Sequence, residues 1–102
     1  MGRGGPTYDL HELQRLIGQG RVSSSVTEAA QEGAALLGLG EDDIVEAVLA
    51  LTPDHFYKSM EAERFPGLWQ DVYHLEFRSV SLYIKLQFSP NGLAVVVQCK
   101  RR

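Results

Sequence analysis

The sequence has very little cysteine and no long hydrophobic run. Its 102 residues include one cysteine, Cys99, which excludes an internal disulfide and a zinc site built from several thiolates of this chain. The first ten residues, MGRGGPTYDL, lack the apolar segment of a secretory signal, and no apolar run is long enough to span a membrane. We therefore expect a protein of the reducing cytoplasm with no membrane contact.

The chain also lacks net positive charge. Its formal net charge is −3 at pH 7, which argues against tight non-specific binding of nucleic acid, because such binding depends on neutralising phosphates. The charge is uneven: residues 1–51 carry three arginines and eight carboxylates, whereas residues 52–102 carry seven lysines and arginines and five carboxylates. A local nucleic-acid site in the second half stays open, and the acidic first half is typical of solvated helix faces.

Length and an apolar content of 44% predict one domain over residues 1–102, with residues 1–7 as a flexible tail. Apolar residues recur at helical spacing over residues 8–17. A capping-box pattern, SVTE, predicts a second helix that begins at Ser25, and a brief strand is expected just before it at Arg21 and Val22. The acidic run at residues 41–43 favours the start of a third helix.

A further helical turn is predicted after Thr52-Pro53, with Lys58 at its end. The period then changes to twofold, which predicts strands over residues 69–78, 82–89 and 93–100, with a hairpin turn at residues 90–92. Helices followed by a meander indicate an α+β domain, in which N-terminal helices pack on a C-terminal antiparallel β-sheet.

Alternation along each strand assigns the side chains to two faces of this sheet. The large apolar residues of the three strands are predicted to face the core: Trp69, Tyr73, Leu75, Phe77, Leu82, Ile84, Leu86, Phe88, Leu93, Val95, Val97 and Cys99. The other face then holds polar residues that can bind a phosphate or hydrogen-bond to bases and sugars: Gln70, His74, Tyr83, Lys85, Gln98 and Lys100, with Lys58 arriving from the preceding turn. An ordinary solvated sheet face is the alternative interpretation.

Four short motifs carry a resemblance to a known family. They are FYKSM at residues 56–60, WQDVY at 69–73, YIK at 83–85 and VVVQCK at 95–100. In this pattern, over about residues 8–100, the chain resembles the motility quorum-sensing regulator (MqsR-like) family of bacterial toxins, which an antitoxin holds inactive. The resemblance implies a fold similar to that of small bacterial ribonuclease toxins of the RelE and YoeB type.

The resemblance also implies an activity: cofactor-free, metal-independent endonucleolytic cleavage of single-stranded mRNA at GC-containing triplets, which inhibits translation and growth. The catalytic residues that it implies are Lys58, Gln70, Tyr83 and Lys100. The alternation of side chains along the strands adds three RNA-binding residues on the same face, namely Lys85, His74 and Gln98.

Cleavage of RNA without a metal requires the neighbouring 2′-hydroxyl to attack phosphorus. Reference pKa values of about 10.4 for Lys and 10 for Tyr leave both groups protonated at neutral pH. We therefore assign Lys58 and Lys100 to electrostatic stabilisation, with one of them protonating the leaving oxygen. Gln70 would place the phosphate or a sugar hydroxyl. Tyr83 would orient the phosphate or, with a depressed pKa, accept the 2′-proton, and His74 is a second candidate for that base.

The partner implied by the resemblance is a cognate antitoxin with a helix-turn-helix DNA-binding domain, so that this chain would contact DNA only indirectly. A catalytically silent relative is the alternative. Its acidic helices would bind protein, and it would act with the antitoxin in repressing their operon.

The remaining residues with chemical potential are interpreted as structural. The three histidines are too scattered for a metal site. Phe56, Tyr57 and Trp69 are predicted to be core anchors, with base-stacking platforms as the alternative for Phe56 and Tyr57. Cys99 is predicted to be a small buried hydrophobe, and residues 101–102 to form a frayed tail or to add phosphate contacts.

Overall fold

The computed structural model describes residues 4–20 and 24–102. Three helices and five strands lie in the described ranges, and a single 3-10 turn, Pro53–His55, precedes the second strand. In chain order they are α1 (Leu10–Gln19), β1 (Ser24–Val26), α2 (Glu28–Ala35), α3 (Glu41–Leu49), β2 (Phe56–Glu61), β3 (Trp69–Phe77), β4 (Val80–Phe88) and β5 (Ala94–Arg101). The α+β class with helices before the main sheet is confirmed.

The strands form one mixed sheet in the order β1-β5-β4-β3-β2. β2 to β5 are antiparallel neighbours, and β1 is parallel to β5. The predicted three-stranded meander is therefore the centre of a wider sheet. No helix in the described part of the chain is long and apolar enough to cross a membrane.

The hydrophobic core lies between the three helices and one face of β3, β4 and β5. α1 contributes Leu13 and Ile17, and α3 contributes Ile44 and Val48, all of them nearly or fully buried. The opposite sheet face is exposed to solvent at Lys58, Glu76 and Lys100. We call this opposite face the open face.

The helix starts follow local hydrogen-bonding chemistry. Asp9 caps α1 by accepting from the backbone N–H groups of His11 and Glu12. The second helix, however, begins later than predicted, because Ser25 lies in β1 and Thr27 is the N-cap, its Oγ1 accepting from the N–H of Ala30. The strand expected at residues 21–22 lies outside the described residues.

Lys58 lies on β2 and not on a helical turn. Only residues 53–55 make the predicted turn, after which the chain is extended and pairs with β3. β2 is an edge strand whose pairing shifts by one residue between Phe56 and Lys58. This bulge places Tyr57 on the open face, where it is 55% exposed, so the prediction of a core Tyr57 is wrong. Phe56 packs against the core, edge to face with Tyr73.

The face assignment for β5 is only half right. The pairing of β4 with β5 shifts at residues 85–86, so that Leu86 pairs with Val96 while Lys85 pairs with Gln98. The extra residue of this bulge, Val97, reverses which face each residue of β5 before it occupies. Ala94 and Val96 belong to the core together with Cys99, and the predicted core set at positions 93, 95 and 97 is wrong. Beyond the bulge, Cys99 and Lys100 lie on their predicted faces.

Helix α2 covers the edge of β5 that β1 leaves unpaired. The Thr27 hydroxyl donates to the Val97 carbonyl at 2.7 Å, and the Thr27 N–H donates to the Val96 carbonyl at 3.1 Å. Farther along α2, a Cβ added at Gly33 would lie 2.5 Å from the Cys99 carbonyl oxygen. Glycine is therefore what allows the helix backbone to lie against the strand, which protects an otherwise free edge.

The ends of the described chain are tied to the sheet. The N–H groups of Thr7 and Tyr8 donate to the two carboxylate oxygens of Asp71, at 3.0 and 2.9 Å. Thr7, which the sequence interpretation placed in a tail, is thus part of the domain. At the other end the Arg102 N–H donates to the Ser81 carbonyl at 2.8 Å, so the last residue is held and not frayed. Trp69 is half-buried and lies outside the core cluster.

Candidate active site

The register of the sheet places the predicted site residues on the open face in adjacent rows. His74 pairs with Tyr83, and Tyr83 pairs with Lys100. In the next row, two residues along the strands, Val72 pairs with Lys58 on one side and with Lys85 on the other. Two residues farther along, Gln70 pairs with Met60. Rows are spaced by about 7 Å, since each strand residue advances about 3.3 Å.

Aromatic rings connect β2 to β4 across the first row. The rings of Tyr57 and His74 stack with centroids 4.1 Å apart, and the His74 and Tyr83 centroids are 6.0 Å apart. Tyr57 can reach His74 because of the bulge in β2. The row therefore presents a phenol, an imidazole and a second phenol side by side.

Three lysines surround these rings. The Nζ atom of Lys100 lies 5.1 Å from the Tyr83 ring centroid, and the Nζ atom of Lys85 lies 5.8 Å from the same centroid. The Nζ atom of Lys58 lies 5.5 Å from the Tyr57 centroid. Ammonium groups at the faces of aromatic rings are held by the ring quadrupole. The three cations thus converge on Tyr83 and His74 from three different strands.

A buried apolar side chain lies beneath the lysines. Val72 is fully buried although it belongs to the open face, between Lys58 and Lys85, since the stems of long neighbouring side chains can cover such a residue. Burial lowers the pKa of Lys85, and the positive charges of Lys100 and Lys58 lower it further. The Lys85 ammonium consequently gives up its proton more readily than an ordinary lysine does.

The pKa values of His74 and Tyr83 move in opposite directions. Burial, together with the charges of Arg102 and Lys58, lowers the pKa of His74, so that its imidazole is neutral at pH 7. Burial and the neighbouring Tyr57 raise the pKa of Tyr83. The depressed pKa considered for Tyr83 is wrong, and the phenol keeps its proton, so that it can donate a hydrogen bond to a ligand.

Gln70 is almost fully buried at the far end of these rows, 8% exposed. Its Nε2 donates to the Oε1 of Gln87 at 2.8 Å. This bond fixes the orientation of both carboxamides beside Lys85, which lines the same cleft as Gln70. Gln98 pairs with Lys85 in register, but its Oε1 accepts from the N–H of Cys99.

All seven residues predicted for the site are on the open face or at its β5 edge, and Lys58, Tyr83, Lys85, Lys100 and His74 form its centre. Their catalytic and RNA-binding roles remain predictions. Three neighbours were not among the predicted site residues: Tyr57, Gln87 and Arg102. Strand alternation puts Gln87 on the same face as Tyr83 and Lys85 without assigning it a role, and Arg102 was considered only for phosphate contacts from a frayed tail. The position of Tyr57 on the open face depends on the bulge in β2, which no sequence pattern indicates.

The described residues hold no group of three histidine, cysteine or acidic side chains that could bind a metal ion. The buried Cys99 thiol has a pKa raised to about 11 by burial. It is therefore a poor nucleophile, and its predicted role as a buried hydrophobe is confirmed.

Comparison with known proteins agrees with the motifs. Residues 5–101 match the family described as "Motility quorum-sensing regulator, toxin of MqsA". A protein of Escherichia coli (strain K12) named mRNA interferase toxin MqsR is 31% identical over 81 residues, which make up 79% of this chain and 81% of that protein. The resemblance carried by FYKSM and WQDVY is confirmed. Since the match covers nearly the whole chain, this protein belongs to the motility quorum-sensing regulator family of toxins.

Proposed function

We propose that this protein is the toxin of a toxin–antitoxin pair and that it cleaves single-stranded mRNA endonucleolytically, at GC-containing triplets and without a metal ion. The observation that carries the proposal is the cluster of three lysines, Lys58, Lys85 and Lys100, around the adjoining rings of Tyr57, His74 and Tyr83 at the open face. The name of the Escherichia coli relative, mRNA interferase toxin, supports the same activity.

The arrangement supplies the charge that phosphodiester cleavage needs. The phosphorane formed in the reaction carries more negative charge than the starting diester, and donors already in place stabilise that charge selectively. Lys58 of β2 and Lys100 of β5 approach along the open face from two directions, with Tyr83 of β4 between them. A chain with a net charge of −3 therefore concentrates its lysines where a single phosphate would bind.

The reaction proceeds by internal transfer. The 2′-oxygen attacks phosphorus and loses its proton to a base, the bond from phosphorus to the 5′-oxygen breaks, and an acid protonates that oxygen. We assign the base to the neutral His74 imidazole and the acid to one of the lysines around Tyr83, of which Lys85 has the lowered pKa. Tyr83 donates a hydrogen bond to the phosphate. The second N–H of Gln70 Nε2, which the bond to Gln87 does not use, donates to the phosphate or the sugar.

The direct test is incubation of the purified protein with a labelled transcript in the presence of EDTA. We expect fragments that end in a 2′,3′-cyclic phosphate and begin with a 5′-hydroxyl, with cleavage sites at GC-containing triplets. Loss of activity in EDTA would contradict the metal-free reaction. An intact transcript would instead favour a catalytically silent protein that acts with an antitoxin to repress their operon.

Replacement of His74 by glutamine is expected to lower the cleavage rate by about 100-fold or more, the usual contribution of a general base. The lowered pKa predicts the sign of the pH dependence: the wild-type rate stays high down to below the ordinary histidine pKa of about 6.5 and falls as His74 becomes protonated. The measurement is the pH–rate profile at saturating RNA. An acidic limb that persists unchanged in H74Q would contradict the assignment.

The family description, toxin of MqsA, supports a protein partner. We propose that a cognate antitoxin with a helix-turn-helix domain neutralises this chain in the cytoplasm, and that the pair contacts DNA through the antitoxin. Co-purification of the two proteins from a strain that expresses both would test the partnership independently of RNA cleavage.

A further inference from the structure

The loop between β2 and β3, residues 62–68, closes one end of the open face in a fixed conformation. The N–H of Ala62 donates to the Leu68 carbonyl at 2.8 Å, and the N–H of Leu68 donates to the Phe65 carbonyl at 3.0 Å. The N–H of Gly67, at φ +89°, donates to the Glu61 carboxylate at 2.8 Å. The loop is therefore a defined turn that presents Phe65 at its tip.

Phe65 is 64% exposed and lies between two clefts. The first cleft, about 470 Å³, is lined by Pro66, Leu68, Gln87 and Pro90 beside it. The second, about 350 Å³, contains Gln70 and Lys85. Both volumes lie within the range of roughly 300–1,000 Å³ that is usual for small-molecule sites. An aromatic ring exposed between two clefts of this size offers a flat apolar surface with space on both sides.

The carboxamides below the loop have unused hydrogen-bonding capacity. Gln70 Nε2 donates to Gln87 Oε1. Within residues 4–20 and 24–102, neither of these two side chains makes another hydrogen bond. This leaves the Oε1 acceptor of Gln70 and the Nε2 donors of Gln87 available to a ligand. Gln70 is nearly buried, so the two carboxamides are held in place at the base of the cleft and are not part of a solvated surface.

We propose that Phe65 and the Gln70–Gln87 pair form a binding subsite for a nucleobase of the RNA strand, next to the cleaved phosphate. The ring would stack on the base, and the two carboxamides would hydrogen-bond to its edge. The Gln70 row is one row, about 7 Å, from the row of Lys58 and Lys85. The base in this subsite therefore belongs to a nucleotide that adjoins the reacting one, and this inference depends on the proposed nuclease function.

The chemistry of the clefts favours a base over an apolar peptide. Lys85 and Arg64 line the second cleft together with Phe65 and one carboxylate, that of Glu63. The cations outnumber the carboxylate, so the cleft keeps a positive charge that can neutralise a phosphate of the same nucleotide. An apolar peptide segment would leave the two carboxamides and these cations without partners. Stacking on Phe65 accepts any base. The Oε1 acceptor of Gln70 and the Nε2 donors of Gln87 would then select among bases by the hydrogen bonds that each base can form.

The test measures RNA binding apart from cleavage. A fluorescent oligonucleotide with a 2′-deoxy nucleotide at the cleavage position cannot react, and its affinity is read from anisotropy. F65A should weaken binding by about 10-fold or more, whereas F65Y should stay within about 3-fold of wild type because it keeps the ring. L36A is the matched control, since Leu36 is 89% exposed on the C-cap of α2, and it should leave the affinity unchanged.

Oligonucleotides with one abasic position identify the base. At one position beside the cleavage site, base removal should weaken binding to wild type but not to F65A. The same F65A variant should cleave a random-sequence transcript with relaxed preference at that position. Unchanged affinity and cleavage preference in F65A, with wild type active, would overturn the subsite and leave the nuclease function intact. Loss of antitoxin binding in F65A with unchanged RNA binding would instead make this surface a protein-docking site and refute the inference.

If wild type cleaves no transcript, the proposed function fails first. The anisotropy series still decides the subsite in that case, because it does not use cleavage: equal affinities of wild type, F65A and F65Y for every oligonucleotide would refute it.

Discussion

Replacement of Lys58 or Lys100 by alanine is expected to slow RNA cleavage by about 100- to 1,000-fold, the usual effect of removing one preorganised donor to a developing anion. The two ammonium groups approach the Tyr83–His74 pair along the open face from β2 and from β5, the strands on either side of the pair, so neither can replace the other. Single-turnover rates with a GC-containing transcript would measure the loss. A double variant should be less than additive if both lysines bind the same phosphate.

The fold should survive both substitutions, because Lys58 and Lys100 are exposed. The matched control is R15A, which removes one positive charge from α1, where Arg15 pairs with Glu12 at a surface far from the open face. R15A should cleave RNA at the wild-type rate, and all three variants should show wild-type far-UV dichroism. Full activity in K58A or K100A would show that the phosphate binds elsewhere.

Replacement of Gly33 by alanine is expected to destabilise the protein by about 1–3 kcal/mol, the usual cost of overpacking. Helix propensity alone predicts the opposite sign, a gain of up to about 1 kcal/mol. The added Cβ would lie 2.5 Å from the Cys99 carbonyl oxygen and 3.1 Å from the Lys100 Cβ, and the first of these is a backbone atom that cannot move alone. Either α2 or β5 must therefore shift.

Gly18 in α1 provides the control, because a Cβ added there meets only the side chain of Leu49, at an ordinary 3.5 Å. G18A should raise the free energy of unfolding by up to about 1 kcal/mol, while G33A lowers it. Urea denaturation of the three proteins measures both effects. Since β5 carries Lys100, G33A should also reduce the cleavage rate at temperatures where it is still folded. Equal stabilisation by both substitutions would show that the helix–strand approach imposes no constraint.

Much of the candidate site could be predicted from strand alternation. Leu82, Ile84 and Leu86 are apolar at every second position, which fixed the core face of β4 and therefore put Tyr83 and Lys85 on the other side. Such a pattern is informative because a slip of one residue would bury lysine and expose leucine. In β5 the same reasoning failed before the bulge, because Val95, Val96 and Val97 are consecutive apolar residues that fit either face.

The strand that carries Lys58 shows a different limit of prediction from sequence. The residues after Thr52-Pro53 have a good start signal for a helix, and local propensity carries the pattern through Lys58. The structure ends the turn at His55 because β3 has a free edge whose backbone groups pair with residues 56–61. Lys58 pairs with Val72, 14 residues farther along the chain. Such pairing is a tertiary interaction, and it overrides weak local preference.

The amino-acid sequence by itself determined the three helices, the three central strands β3, β4 and β5, the core face of β4 and the identity of the four residues that match the family motifs, because these depend on local periodicity and on residue type. The tertiary structure decided the two bulges, the parallel pairing of β1 and the position of Tyr57 on His74. It also decided the close approach of Gly33 to β5 and the cleft at Phe65. Each of these depends on backbone pairing or packing between distant segments, whose geometry no local pattern of side chains specifies.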